Sequence, residues 1–235
     1  MVTISMRVVV VLLLVAIVFA LCICGSVVNV SSIDTKYIYT IVVDAGHGGR
    51  DAGCSGVDTG VRESDINLSI AKILKECLER QGIRVVMTRT NDSGLYDSDA
   101  SNFKLSDMSR RVDIVRSASP DMLVSIHQNS FEDSSLKGAQ VFYQEGDDRS
   151  KVLAQCVQDE LNYAMPYTRG NYNHSDLYLL KESGTIGVLV ECGYLTNSED
   201  EKNLSNSEYQ YKIAYTIMCG ILRYLISIGT MQEVY

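Results

Sequence analysis

The chain has 235 residues, 46% of them hydrophobic, with two prolines and a formal charge of −8. That composition excludes a disordered or collagen-like protein, and the length suits one domain with a large core. An acidic body repels phosphate backbones, so no nucleic-acid partner is expected.

The first feature in chain order is Val8–Cys24, VVVVLLLVAIVFALCIC, which holds neither charge nor proline. As a helix it would cover roughly 25 Å, near the short end of what spans a bilayer. Arg7 and the amino terminus precede it, which favours a cytoplasmic N-terminus and an exported body. No A-x-A-like site follows, and Cys24 lacks the preceding small residue of a lipoprotein signal. Residues 1–24 therefore read as a membrane anchor, with a cleaved signal segment as the competing reading. Residues 25–38 form a polar linker, residues 39–228 a single folded domain, and residues 229–235 a C-terminal tail.

Within the domain, short apolar runs suit buried strands at Tyr39–Val43, Val85–Thr88, Met122–Ile126, Ala139–Tyr143 and Gly187–Val190. Helical patterns alternate with them. Ile66, Ile70, Ile73, Leu74, Cys77 and Leu78 recur at helical spacing, and Gly82 ends that helix. Arg110–Ala118 and Ser150–Ala164 read as helices, and Ile213–Leu225 carries a long amphipathic stripe. Asn91–Asp107 is polar and reads as a surface loop. The alternation predicts an α/β fold: one largely parallel sheet of about six strands flanked by helices, preceded by one N-terminal hydrophobic helix. Cys54, Cys77, Cys156, Cys192 and Cys219 form no C-x-x-C pair and no disulfide framework, and Cys77, Cys156 and Cys219 read as small buried residues.

Two of the three histidines directly follow strand-like runs: His47 in IVVDAGHGG and His127 in MLVSIHQNS. Glu191, in VLVECGYL, stands in the same relation to the last strand. Sites in open α/β sheets form at the carboxyl ends of strands, so these side chains can converge. Glu63 lies beyond a glycine-rich loop that can fold it back toward His47. Two imidazoles and one carboxylate are a familiar catalytic zinc set with an open position for water, whose pKa the metal brings to about 7. Glu191 is then the proton shuttle. Each residue alone has a plainer reading: a structural histidine, a tight glycine turn, a carboxylate at a helix N-terminus. A glutamate closing an apolar strand is less easily dismissed, because a buried carboxylate needs a partner. Cys192 should face the opposite side of that strand from Glu191.

DAGHGGRDAG, RESDINLSIAKIL, VMTR, SIHQNS and VLVECGYLTNSED, in that order from Tyr39 to Leu225, closely resemble the zinc-type N-acetylmuramoyl-L-alanine amidases (amidase 3). The resemblance implies cleavage of the amide between N-acetylmuramic acid and the L-alanine of the peptidoglycan stem. It implies Zn2+ held by His47, Glu63 and His127, with Glu191 as the catalytic glutamate. Asn129 matches a frequent family asparagine, with a substrate or ligand-supporting role and a turn-forming role both open. Arg169 resembles the family's arginine ahead of its D-x-Y-V-L segment, here DLYLL at Asp176–Leu180, with contact to substrate or polymer and a surface ion pair both open. His174 matches no ligand position and reads as structural or solvent-exposed.

The short stretch after His127 lacks the long inserted helix of autoinhibited cell-division amidases, and the single anchor, GAQVFYQEG and ECGYLTNSEDEKNL are most similar to the CwlD-type spore-cortex germination branch. That branch implies a role in muramic-δ-lactam formation, a catalytic domain in the forespore intermembrane space, and a possible lipoprotein partner beside peptidoglycan and the membrane. The alternatives are a zinc peptidase cleaving within the stem and a non-catalytic peptidoglycan-binding sporulation protein.

Overall fold

β-branched, fully apolar runs become strands covered on both faces. In the computed structural model, which describes residues 39–170 and 172–232, these are β1 (Thr40–Ala45), β2 (Arg84–Met87), β3 (Met122–Asn129), β4 (Gln140–Gln144) and β6 (Gly187–Tyr194). A three-residue strand, β5 (Asn173–Ser175), completes one sheet in the order β2-β1-β3-β6-β4-β5. All pairings are parallel except β4 with β6. The expected largely parallel, six-stranded α/β domain is thus the observed one. The expected N-terminal hydrophobic helix, anchor and linker lie outside the described residues.

The helices are α1 (Glu63–Glu79), α2 (Phe103–Ala118), α3 (Asp148–Ala164), α4 (Tyr178–Ser183), α5 (Ser198–Leu204) and α6 (Ser207–Gln232). Gly82 does close α1: at φ 74° it donates from its N–H to the Glu79 carbonyl. The polar stretch Asn91–Asp107 is not loop throughout. Asn102 caps α2 by accepting from Leu105 N, and the helix starts at Phe103. Helix α6 runs to Gln232, into the stretch expected to be a tail.

Two layers of helix cover the sheet. On one face α1 and α3 pack on the strands, with α6 lying against both helices. Ile70, Leu74, Leu153, Val157, Ile213, Ile217 and Ile221 join Ile41, Val43, Val124, Ile126 and Val190 in that core. On the other face α2 and α4 bury Val112, Val115, Leu179 and Leu180 against Val42 and Leu123. Helix α6 is long and apolar enough to cross a membrane by composition alone, yet Ile213, Ala214, Ile217 and Ile221 are fully buried inside this domain. Cys77, Cys156 and Cys192 are buried thiols, Cys54 and Cys219 are half-buried, and all five are unbridged.

Candidate metal centre and active site

Strand register places the first pair of site residues. His127 on β3 lies directly beside Glu191 on β6, and the register shifts between His127 and Asn129, a bulge at the sheet's carboxyl edge. The chain leaves β1 through Gly46, and His47 sits in the left-handed region at φ 61°. A non-glycine residue there is uncommon and has to be held by its surroundings. Two buried arginines do this. Arg111, on α2, donates to the carbonyls of Ala45 (2.8 Å) and His47 (2.6 Å). Arg89, just past β2, donates to Ala45 O (2.8 Å), Gly46 O (2.9 Å) and Ser64 O (2.8 Å), joining the His47 turn to the start of α1.

Glu63 opens α1, and its carboxylate is the hub. Oε1 lies 3.2 Å from His47 Nε2 and 3.0 Å from His127 Nδ1. It also accepts from Gln128 N (3.1 Å) and Asn67 Nδ2 (3.2 Å), while Oε2 accepts from Cys54 N (2.9 Å). Burial raises the Glu63 pKa, but hydrogen bonds and charge from His127 and His47 hold it well below the usual carboxylate range. Burial likewise opposes a charge on the His47 ring, yet Glu63 and Asp51 lift its pKa to about 9. This pocket therefore draws in positive charge, proton or metal ion.

One ligand atom each from His47, Glu63 and His127 lie within 4.8 Å of one another, the one such group among the described residues. Two glycines leave the room for it. A Cβ at Gly46 would stand 2.2 Å from the His127 ring, and one at Gly53, already at φ 68°, would stand 2.3 Å from Glu63 Oε2. Two imidazoles, a carboxylate and these cradles fit a metal with an open coordination position. Asp51 Oδ2 lies 2.9 Å from His47 Nδ1, so the carboxylate fixes which ring nitrogen stays free.

Glu191 stands beside this cluster. Burial, assisted by Glu63 and opposed by His127, lifts its carboxyl to about 7, and its Oε2 is buried with no hydrogen-bond partner among the described residues. Cys192 turns the other way into the core, as strand alternation requires.

The remaining expected residues do not all converge. Asn129 is half-buried and its Oδ1 accepts from Ser130 N at 2.8 Å, closing the local turn. Arg169 is exposed next to β4, its N–H donating to Ala139 O at 2.9 Å, and it has no acidic partner at salt-bridge distance among the described residues. A surface ion pair is not what places it. His174 lies apart on edge strand β5, exposed, 3.7 Å from Glu145.

A family model described as "N-acetylmuramoyl-L-alanine amidase" matches residues 41–223, which carry all of the sheet but its first residue and every residue of this cluster. The chain belongs to that family. It is 32% identical to the germination-specific N-acetylmuramoyl-L-alanine amidase of Bacillus subtilis over 82% of each chain. Among solved structures it resembles the CwlD amidase of Clostridioides difficile in complex with the GerS lipoprotein: 39% identity, TM-score 0.77, covering 80% of this chain and 99% of that one. An N-acetylmuramoyl-L-alanine amidase from Clostridium difficile 630 matches at 34% identity and TM-score 0.73, over 81% and 98%. The chain is thus an amidase acting on the muramic acid–L-alanine bond of peptidoglycan, with a His–Glu–His group able to hold a metal.

Sequence reasoning does not single out Asp51, Asn67, Arg89 or Arg111. A signal exists for two of them. Arg89 ends an apolar strand, and Arg111 falls on the apolar stripe of α2 with Met108, Val112 and Val115, where a charge needs a buried partner.

Proposed function

We propose that the hydrolysis is zinc-dependent, with His47, Glu63 and His127 as ligands and Glu191 as the proton shuttle. When bound, zinc polarises the scissile carbonyl and brings a water's pKa to about 7. The chain's own groups do the rest. Glu63, anchored by Gln128 N, Asn67 and Cys54 N, sets the position of both rings. Asp51 orients His47. Glu191 takes a proton from the attacking water and returns it to the departing L-alanine nitrogen. The observation that carries this reading is the buried, unpartnered Glu191 Oε2 beside a convergent His–Glu–His set.

The proposed setting is extracytoplasmic, with residues 1–24 as membrane anchor and the substrate in the spore cortex, on the pathway to muramic-δ-lactam and germination. Similarity to a germination-specific amidase supports it, and the complex of the CwlD amidase with a lipoprotein makes a lipoprotein a reasonable partner here. The test is a mass-spectrometric digest of vegetative and cortex peptidoglycan, with and without a chelator. Intact stem peptides beginning with L-alanine, lost on chelation and restored by zinc, are the expected products. Fragments cut within the stem would make the chain a peptidase, and undiminished activity after complete metal removal would sink the zinc reading.

A further inference from the structure

The loop that brings Glu63 to the cluster folds as a small hairpin. Its arms pair antiparallel: Ser55 faces Arg62, Glu63 N donates to Cys54 O at 2.9 Å, and Ser64 N donates to Ala52 O at 3.0 Å. Gly56 N closes the turn on Val61 O at 2.8 Å. At the tip, Val57, Asp58, Thr59 and Gly60 are all exposed, so burial of apolar surface does not hold it. Gly53, Gly56 and Gly60 also make the loop costly to order, since glycine loses more freedom on folding than any other residue.

A carboxylate from far along the chain grips this tip. Glu201, on α5, is buried at 1% exposure. Its Oε2 accepts from Asp58 N at 2.6 Å, and its Oε1 accepts from Thr59 N at 2.8 Å and Thr59 Oγ1 at 2.6 Å. Burial opposes the charge, but the Thr59 hydroxyl and the backbone donors hold the carboxyl below its usual range. The fit is close, for a Cβ at Gly56 would stand 2.2 Å from Oε1. Val57 N adds a bond to Leu195 O, just past β6, at 3.0 Å. Helix α5 is itself tied to β6, where Asp200 Oδ2 accepts from Tyr194 N (2.8 Å) and from Gly138 N (2.7 Å). One contiguous path thus runs from the strand bearing Glu191, through α5, to the loop bearing Glu63.

Resting on the ligand set proposed above, we propose that Glu201 is a positioning residue: by gripping the loop tip it fixes Glu63, and with it the metal affinity, before any metal arrives. The physical ground is preorganisation. A loop without its grip has many arrangements, and the competent one holds Glu63 between the two imidazoles. Apparent affinity falls in proportion to the competent fraction. If Glu201 served only the stability of the domain, its loss would leave the metal site of the folded chain untouched.

Zinc titration of the metal-free chain, read by competition with a chromophoric chelator, tests this. Glu201→Gln keeps the side chain's length but trades one acceptor oxygen for an amino group that faces N–H donors. Its zinc Kd is expected to rise about tenfold. Gly56→Ala attacks the same contact from the loop side with the carboxylate intact, and decides the matter should Glu201→Gln fail to fold. It should give a similar rise, and the double variant should be no weaker than the worse single one. Zinc Kd values within about twofold of wild type, or losses that multiply in the double variant, would overturn the assignment. A second arm needs no metal: hydrogen exchange in the metal-free chain. In Glu201→Gln the Cys54 and Glu63 amides should exchange about tenfold faster, while those of β3 and β6 keep wild-type rates. Unchanged exchange in the loop, or faster exchange throughout the domain, would count against the assignment as firmly. A wild type that binds no zinc would end the metal reading of the cluster instead, and the exchange arm would still decide whether Glu201 holds Glu63 in place.

Discussion

Glu191 and Glu63 are carboxylates at the same cluster but opposite in circumstance. Every oxygen of Glu63 is tied, to His47, His127, Gln128 N, Asn67 and Cys54 N, while Glu191 Oε2 is buried and free of partners among the described residues. Replacing either with glutamine keeps its shape and should give distinguishable losses. Glu191→Gln is expected to lower kcat on purified peptidoglycan roughly 10²–10⁴-fold with metal content, read by elemental analysis, unchanged. Activity within tenfold of wild type would remove Glu191 from the chemistry. Glu63→Gln should lose both activity and stoichiometric metal. Gly46→Ala is a third case, since its Cβ would meet the His127 ring at 2.2 Å; it should cut metal retention while the domain stays folded by circular dichroism. His47, His127 and Glu191 are legible in the sequence because a polar residue directly after an apolar strand points to the carboxyl edge of the sheet. Arg111 is only half legible: its place on the apolar stripe of α2 signals a buried charge, but its partners, and its 2% side-chain exposure beneath the His47 turn, appear only in the fold.

At the scale of elements, Arg111 is the joint between α2 and β1. It donates to Asp44 from β1 and Asp107 from its own helix, both at 2.6 Å, with Asp44 also accepting from Ser125 of β3 and from Thr88. Arg111→Met fills the space but strands two buried carboxylates, and unfolding in urea should show a loss of about 3–5 kcal/mol. Less than about 1 kcal/mol would mean water reaches the joint. Burial pushes the Asp44 pKa up, but Arg111, His127, Ser125 and Thr88 together bring it down to about 2 from 3.8. A carboxyl depressed in the folded state contributes stability that is complete above about pH 4 and lost as pH falls toward 2. That contribution is about 2 kcal/mol, and Asp44→Asn should flatten this segment of the acid-denaturation curve. The sequence shows the long elements well, since α1, α3 and α6 carry apolar stripes and the strands are β-branched. It hides the first turns of α2, where Phe103 and Leu105 stand among polar residues and the cap at Asn102 looks like one more loop residue. Short α4, α5 and β5 escape for a related reason: they are stabilised by the sheet they lie on and carry too few residues for a period.

For the whole molecule, the proposed ligands come from three separate places: the turn after β1, the start of α1 and the end of β3. No segment of the unfolded chain holds them together, so a bound metal favours the native state by mass action. At a free concentration one hundred times its Kd, that linkage is worth about 2.7 kcal/mol. In a domain of this size each kcal/mol moves Tm by about 2–4 °C. Chelation of the loaded protein should therefore lower Tm by about 5–10 °C, and zinc should restore it. Glu63→Gln should melt at one temperature with or without chelator, because its linkage is already lost, whereas Glu191→Gln should keep the full shift. A wild-type Tm indifferent to complete chelation would mean that the cluster holds no metal tightly by itself. The same experiment repeated with a lipoprotein partner would then show whether the glycine-rich loop from Gly46 to Gly60 needs a second protein to fix its ligands.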